Sequence, residues 1–415
     1  MKDEQFDPRY KLPPRQSADP GARKRARRIA SIQRDTLSGL NNRPPGIDWF
    51  VSVLENGPEP GVLQVGYFCA MAPVELIEAF GARAIRIGCG NAALVQPGEE
   101  VLSGEICPLA KSSFAEFLDP DGPRSKLTCV ISPTSCDAKR KLGDVISDFK
   151  PVFMLNLPPE QDYARFRAMA VGELERMAAF LERTLKVKFS KSALLDRILQ
   201  GRKRTAVIRE LSELRSADPG IMSVRDLMVI VQSSTAGADP DEWLAKAVEV
   251  LEWAKSASPG RKRVRPRLVL TGAPMIWPNF KPLNLIEECG ADVVADTLCS
   301  GVGGAFDPVV VTEKSTSALL SALAQRYIFG SACPCFISPA TRISRVLDLV
   351  HEHRADGVLH YGLRLCQLFD IELYRLSALL KERKIPFMNL RTDYSLEDTE
   401  QLRVRLEAFL ETLEG

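Results

Sequence analysis

The chain has 415 residues, enough for two or three domains and a full-sized core. With 45% hydrophobic and 26% charged residues it is neither disordered nor fibrous, and a net charge of +2 gives no overall pull toward nucleic acid or an acidic membrane. No apolar run approaches the roughly 18 residues of a membrane span. The start, MKDEQFDPRYKLPPRQ, lacks the apolar core of a secretory signal, so a cytoplasmic location is expected.

Residues 1–60 read as a helical N-terminal extension. Pro13, Pro14 and Pro20 break its beginning. The stretch 22–40 then carries Arg23, Lys24, Arg25, Arg27 and Arg28 as a solvated basic face. From residue 61 the grammar changes to strand and helix in turn. VLQVGYF at 62–68 is a strand, and PVELIEAFGA a helix that stops at Gly81. Strands follow at 84–87, 126–131 and 151–157, with the helix CDAKRKLGDVISDF before the last. Residues 160–262 hold amphipathic helical patterns without good strands, such as QDYARFRAMAVGELERMAAFLERTL. Alternation resumes at 263–415, with strands at 267–271, 292–296, 356–360 and 385–390 and helices between them. Ser395 is the expected N-cap of the final helix. The pattern predicts two α/β domains with parallel sheets, at 61–159 and 263–415, joined by a helical connector.

Ten cysteines stand out in a chain with three histidines and no HExxH. A reducing compartment disfavours structural disulfides, which shifts weight to metal ligation or redox chemistry. Cys69, Cys136, Cys299 and Cys366 fall just after strands, and Cys107 (EICPLAK) and Cys333 (ACPCF) in loops. In open parallel sheets that edge is where ligands bind. Helix N-termini there favour thiolates and anionic clusters. Cys129, inside LTCVI, and Cys289, on a helix, read as core residues, while Cys89 is ambiguous. No ferredoxin-type run or paired CxxC is present, and Cys333-Pro334-Cys335 alone says little.

The segments GYFCAMAPVELIEAFGARAIRIG, GEICPLAKSSF, SPTSCDAKRK, CGADVVADTLCSG, RADGVLHYGLRLCQ and IPFMNLRTDYS run in order across residues 61–415. In them the chain resembles the 2-hydroxyacyl-CoA dehydratase and benzoyl-CoA reductase subunit family. The resemblance implies two flavodoxin-like (Rossmann-like) domains with a [4Fe–4S] cluster at their junction. It also implies a dimeric ATP-hydrolysing iron–sulfur activator that delivers low-potential electrons. The matching cluster positions are Cys107, Cys136 and Cys366.

Cys69 stands where dehydratase subunits often lack cysteine, and Cys299 with Cys333 (or Cys335) would complete a second trio. Six such cysteines resemble the double-cubane branch of the family, homodimers that hold an [8Fe–9S] cluster and reduce small molecules. The alternatives are a single-cluster dehydratase or reductase subunit acting on an acyl-CoA, paired with a related chain, and a non-catalytic cluster-bearing scaffold or sensor. His360 and Glu105 are candidate proton-transfer groups near the clusters. Ser132, Thr134, Ser135 and Lys139 are candidate hydrogen-bond partners of cluster sulfurs, with helix capping preferred for Thr134 and Ser135. GVGG at 301–304 reads as a flexible turn rather than a phosphate cradle, and the basic run 261–267 as a solvated linker.

Overall fold

The structure is a computed structural model that describes residues 43–120, 122, 124–257 and 265–414. The expected basic helix at 22–40 lies outside these residues, as does most of the run 261–267. Arg267, at its end, opens a strand and donates to the carbonyls of His353 and Ser216.

The first half begins with helix α1 (Ile47–Asn56), strand β1 (Gln64–Tyr67), helix α2 (Val74–Glu78) and strand β2 (Arg83–Arg86). The short helix α3 (Val95–Glu99), α4 (Pro108–Leu118), β3 (Cys129–Pro133), α5 (Asp137–Ile146) and β4 (Val152–Leu155) complete it. Four helices follow: α6 (Tyr163–Leu185), α7 (Lys191–Ala217), α8 (Val224–Ser233) and α9 (Pro240–Ser256). The second half runs β5 (Arg267–Gly272), α10 (Lys281–Glu288), β6 (Asp292–Asp296), α11 (Val302–Ala305), α12 (Thr316–Ala324) and α13 (Ala340–Glu352). It ends with β7 (Gly357–Leu363), α14 (Gln367–Glu382), β8 (Phe387–Thr392) and α15 (Thr399–Glu414).

The two sheets share one topology, β2-β1-β3-β4 and β6-β5-β7-β8, with every pair parallel. This is the flavodoxin-like order, and each sheet reverses direction of winding beside its first strand. Near-continuous apolar strands require cover on both faces. Phe114, Phe117, Leu142 and Ile146 of α4 and α5 cover one face of the first sheet. Leu174, Met177 and Leu181 of α6 cover the other, joined by Leu320 and Leu323 of α12 from the second half.

The helices between the sheets do not form a separate layer. Leu227, Ile230 and Val231 of α8 and Trp243 of α9 pack into the core of the second sheet, and so do Ile47, Phe50 and Val51 of α1. The 27-residue α7 places Leu194 and Ile198 in the first core and Ile208 and Leu211 in the second. At 1.5 Å per residue such a helix is about 40 Å long, enough to span both. The halves also touch through backbone: Gly90 N–H donates to Trp277 O at 2.9 Å, and a Cβ at Gly90 would run into Ile276 O.

The final helix starts at Thr399, four residues beyond the expected Ser395 cap. The Ser395 hydroxyl accepts from Glu397 N in the preceding turn, while the Asp398 carboxylate, fixed by Lys281 and Thr392, stands at the helix start.

Candidate metal centre

Cys107, Cys136 and Cys366 occupy the same local position: each is the N-cap of a helix, α4, α5 and α14. A proline follows Cys107 at the first helical position, where its missing N–H is no loss. None of the three thiols makes a capping hydrogen bond of ordinary geometry. The N–H groups of Ala110, Lys139 and Phe369 nonetheless lie near enough to favour the charged sulfurs. Three helix N-termini thus present their positive ends to three sulfurs, an arrangement suited to an anion. The sulfurs lie in electrostatic range of one another, Cys366 with Cys107 and Cys136, and Cys136 with Cys107. Burial dominates their acidity. It raises Cys107, and pushes Cys136 to about 11 and Cys366 to about 12.

Cys69 follows β1 with φ 63°, in the left-handed region that non-glycine residues rarely adopt. Leu365, just before Cys366, has the same φ. Each costs roughly 1–2 kcal/mol, and such strain concentrates at functional sites. The turn brings Cys69 Sγ to 2.9 Å from Ser135 Oγ and 3.0 Å from Lys139 Nζ. Burial alone would raise the Cys69 thiol, but the Lys139 charge and these two hydrogen bonds outweigh it and hold the thiol below its ordinary range. Burial likewise opposes the Lys139 charge, but Cys69, Cys136 and Cys299 outweigh it and keep the ammonium protonated. One lysine on α5 is therefore shared between sulfurs of both expected trios.

Cys299 lies just past β6, where Arg86 at the end of β2 donates to its carbonyl at 2.6 Å and its sulfur at 3.2 Å. The Cys299 loop is anchored from below. The buried Asp296 carboxylate accepts from Leu298 N, Val302 N and Gly303 N. A Cβ at Gly301 would meet that carboxylate, and one at Gly304 the Cys299 carbonyl. The expectation of a flexible GVGG turn is thus corrected: residues 302–305 form α11, and the glycines are needed because loop and carboxylate pack without room for side chains. Cys333 lies within range of Cys69 and is raised well above the thiol range, first by its hydrogen bond with Cys335 and then by burial.

The remaining candidates divide. Ser135 meets the Cys69 sulfur and does not cap α5, contrary to the preferred capping role. Ser132 is fully buried, and its hydroxyl donates to Lys139 O. Thr134 bridges Leu155 O and Leu157 N. Cys129 is core at the start of β3, Cys289 ends α10, and Cys89 packs with Leu94 and Ala115. Glu105 lines a cleft of about 1130 Å³ between the halves, together with Pro108, Arg364, Leu365, Arg391 and Arg405. Pro108 and Leu365 place its floor beside Cys107 and Cys366. Sequence reasoning missed Arg86 and Asp296, whose only signal is their place at strand ends.

His360 does not join them. It is fully buried inside β7, with Nδ1 3.1 Å from Asn389 Oδ1 and Nε2 unpartnered. Burial, then Arg342, lowers its pKa to about 4, below the unfolded value of about 6.5. The unfolded chain then takes up the proton first. The stabilisation is complete above about pH 6.5 and is lost as pH falls toward 4. His360→Gln is expected to reduce the stability loss between pH 7 and 5 by about 2 kcal/mol, read from urea midpoints at the two pH values. An unchanged pH slope would show that His360 is not the group responsible.

Among the described residues, no three His, Cys, Asp or Glu side chains are arranged to hold a single metal ion, and no helix is long and apolar enough to cross a membrane. The family described as "2-hydroxyglutaryl-CoA dehydratase, D-component" matches residues 69–413. A putative dehydratase subunit, YjiM, of Escherichia coli (strain K12) is 28% identical over 394 residues, covering 91% of this chain and all of the relative. The beta subunit of (R)-2-hydroxyglutaryl-CoA dehydratase from Acidaminococcus fermentans is 24% identical, over 85% of this chain and 93% of its own. The beta subunit of lactoyl-CoA dehydratase from Anaerotignum propionicum is 21% identical, over 86% and 93%. With one family matching from Cys69 almost to the last residue, the chain belongs to the 2-hydroxyglutaryl-CoA dehydratase D-component family.

Proposed function

We propose that this chain is an iron–sulfur reductase of the double-cubane type, working with an ATP-hydrolysing iron–sulfur activator. The observation that carries the reading is the shared lysine: Lys139 stands 3.0 Å from the Cys69 sulfur and in electrostatic range of Cys136 and Cys299, so it links sulfurs of both trios. When bound, such a cluster supplies electrons at low potential. The chain's own part is electrostatic. Lys139, Arg86 and three helix N-termini set positive charge around the sulfurs, and Ser135 adds a hydrogen bond, the contacts by which proteins tune cluster potentials.

Anaerobically purified protein is expected to carry about eight iron atoms per chain, twice the content of a single cubane. A measured value near four, with matching sulfide, would sink the double-cubane reading. The cleft beside Cys107 and Cys366 favours a second reading, a dehydratase subunit with a single cluster, because its volume suits an acyl thioester of the kind the relatives' names describe. That reading expects the lower iron count and a related partner chain; the double-cubane reading expects a homodimer.

A further inference from the structure

Strand register brings a phenol beside the first cysteine trio. β7 and β8 are parallel partners as far as Leu363 and Thr392. Cys366 lies three residues past the one and Tyr394 two past the other, so both leave the second sheet by the same edge. Their loops are tied together. Arg364 N–H donates to Thr392 O at 2.8 Å, and its guanidinium donates to Asp393 Oδ2 at 3.2 Å. Asp393 Oδ1 in turn accepts from Ser395 N at 2.8 Å, which closes the turn around Tyr394. Tyr394 shares the wall of the large cleft with Leu365 and Pro108, the chain neighbours of Cys366 and Cys107.

Tyr394 is 3% exposed and belongs to the apolar core of the second sheet, with Leu402 and Leu406 of α15. A phenylalanine would satisfy that packing. The hydroxyl is different: it is buried and has no hydrogen-bond partner. Buried polar groups in folded proteins are otherwise paired, and a phenol can donate as well as accept. Tyr361, Cys107, Cys89 and Cys366 lie in electrostatic range of it. The Tyr361 hydroxyl already accepts from Asn279 Nδ2 at 3.3 Å. Burial, then Glu116, raises Cys89 well above the thiol range, so it stays a neutral thiol. Cys107 and Cys366 are the two sulfurs that become thiolates when they hold a metal. Burial, then Tyr361, raises the Tyr394 phenol well above its ordinary range, so it keeps its proton and meets a negative sulfur as a donor.

We propose that Tyr394 is a positioning residue whose hydroxyl donates a hydrogen bond to the iron–sulfur group held by Cys107, Cys136 and Cys366, and so sets the reduction potential of that group. The proposal rests on the iron–sulfur reading of this trio, which the double-cubane and single-cluster readings share. The reduced group carries one more negative charge than the oxidised one. A donated hydrogen bond therefore stabilises it more and raises the potential. Tyr394 gives up no proton in the cycle.

The test uses the full chain, purified anaerobically, with iron measured before each titration. Tyr394→Phe is expected to keep the wild-type iron content. It should lower the equilibrium constant for one-electron reduction about tenfold, about 59 mV toward negative potential, read by an EPR-monitored redox titration. Reduced wild-type protein in deuterated water is expected to show electron–nuclear coupling to an exchangeable deuteron that Tyr394→Phe lacks and Tyr361→Phe retains. At wild-type iron content, an unchanged midpoint or a coupling that survives in Tyr394→Phe would overturn the proposal. Should Tyr394→Phe bind less iron, 3-fluorotyrosine incorporated throughout the Tyr361→Phe protein decides instead, because it strengthens the phenol as a donor and keeps the ring. A midpoint raised above that of the unlabelled protein supports the hydrogen bond, and an unshifted one overturns it. Protein that binds no iron at all defeats the iron–sulfur reading itself, so the two failures are distinguishable.

Discussion

Cys69→Ala is expected to lower bound iron from about eight atoms per chain to about four, with the remaining cluster held by Cys107, Cys136 and Cys366. Cys69 sits at φ 63°, and alanine meets the same left-handed strain there, so the turn is no worse off. The side chain removed is one small buried thiol, a loss of order 1 kcal/mol in packing and hydrogen bonding. Loss of half the metal therefore cannot be put down to unfolding, and the circular dichroism and unfolding midpoint of the variant should stay close to wild type. Cys333→Ala should reproduce the loss, because the Cys333 sulfur is in range of Cys69, and Cys335→Ala, made beside it, decides which of the two is the ligand. Full retention of iron in Cys69→Ala would remove the second trio from the ligand set. Uniform loss of all iron would instead show that the six cysteines assemble one indivisible group.

The order of elements was legible because the parallel strands are short, apolar and separated by amphipathic helices. DVVAD at 292–296 coincides with β6, and each of the other seven strands falls within a few residues of its expected place. The N-cap position of Cys136 and Cys366 was also readable, since each follows a strand and precedes a helical pattern. What stayed hidden depends on packing between distant segments. Nothing in the periodicity of α8 says that it covers the second sheet rather than the first, because an apolar face does not name its partner. Ser135 sits in a capping context, yet the left-handed turn at Cys69 brings a sulfur to its hydroxyl. His360 looked available beside the Cys366 loop, but strand alternation turns it into the sheet toward Asn389. Arg86 and Cys299 come from elements far apart in sequence, and no spacing motif links them.

Lys281→Met is expected to destabilise the protein by about 3–5 kcal/mol, the range for breaking a buried ion pair by removing one partner. The Lys281 side chain is 2% exposed and that of Asp398 13%. The ammonium donates to Asp398 Oδ1 at 2.6 Å, to Thr392 Oγ1 at 2.6 Å and to the Ser395 carbonyl, and Thr392 donates in turn to Asp398 Oδ2 at 2.8 Å. This network ties the start of α10 to the end of β8 and the start of α15. Methionine fills the volume but leaves the carboxylate and a carbonyl without their donor. Burial alone would raise Asp398, yet the Lys281 hydrogen bond, then Thr392 and Arg364, hold it below the ordinary carboxylate range. Its contribution is thus present above about pH 4 and lost as pH falls through the lower folded value. The gap in urea midpoint between wild type and Lys281→Met should narrow on acidification below that point. Because Ser395, Asp398 and Arg405 also line the large cleft, loosening this corner should disturb the cleft wall before the cysteine centre. Iron content close to wild type in a clearly destabilised Lys281→Met protein is the expected pairing. Equal midpoints at pH 7 would show that the pair adds nothing to the fold.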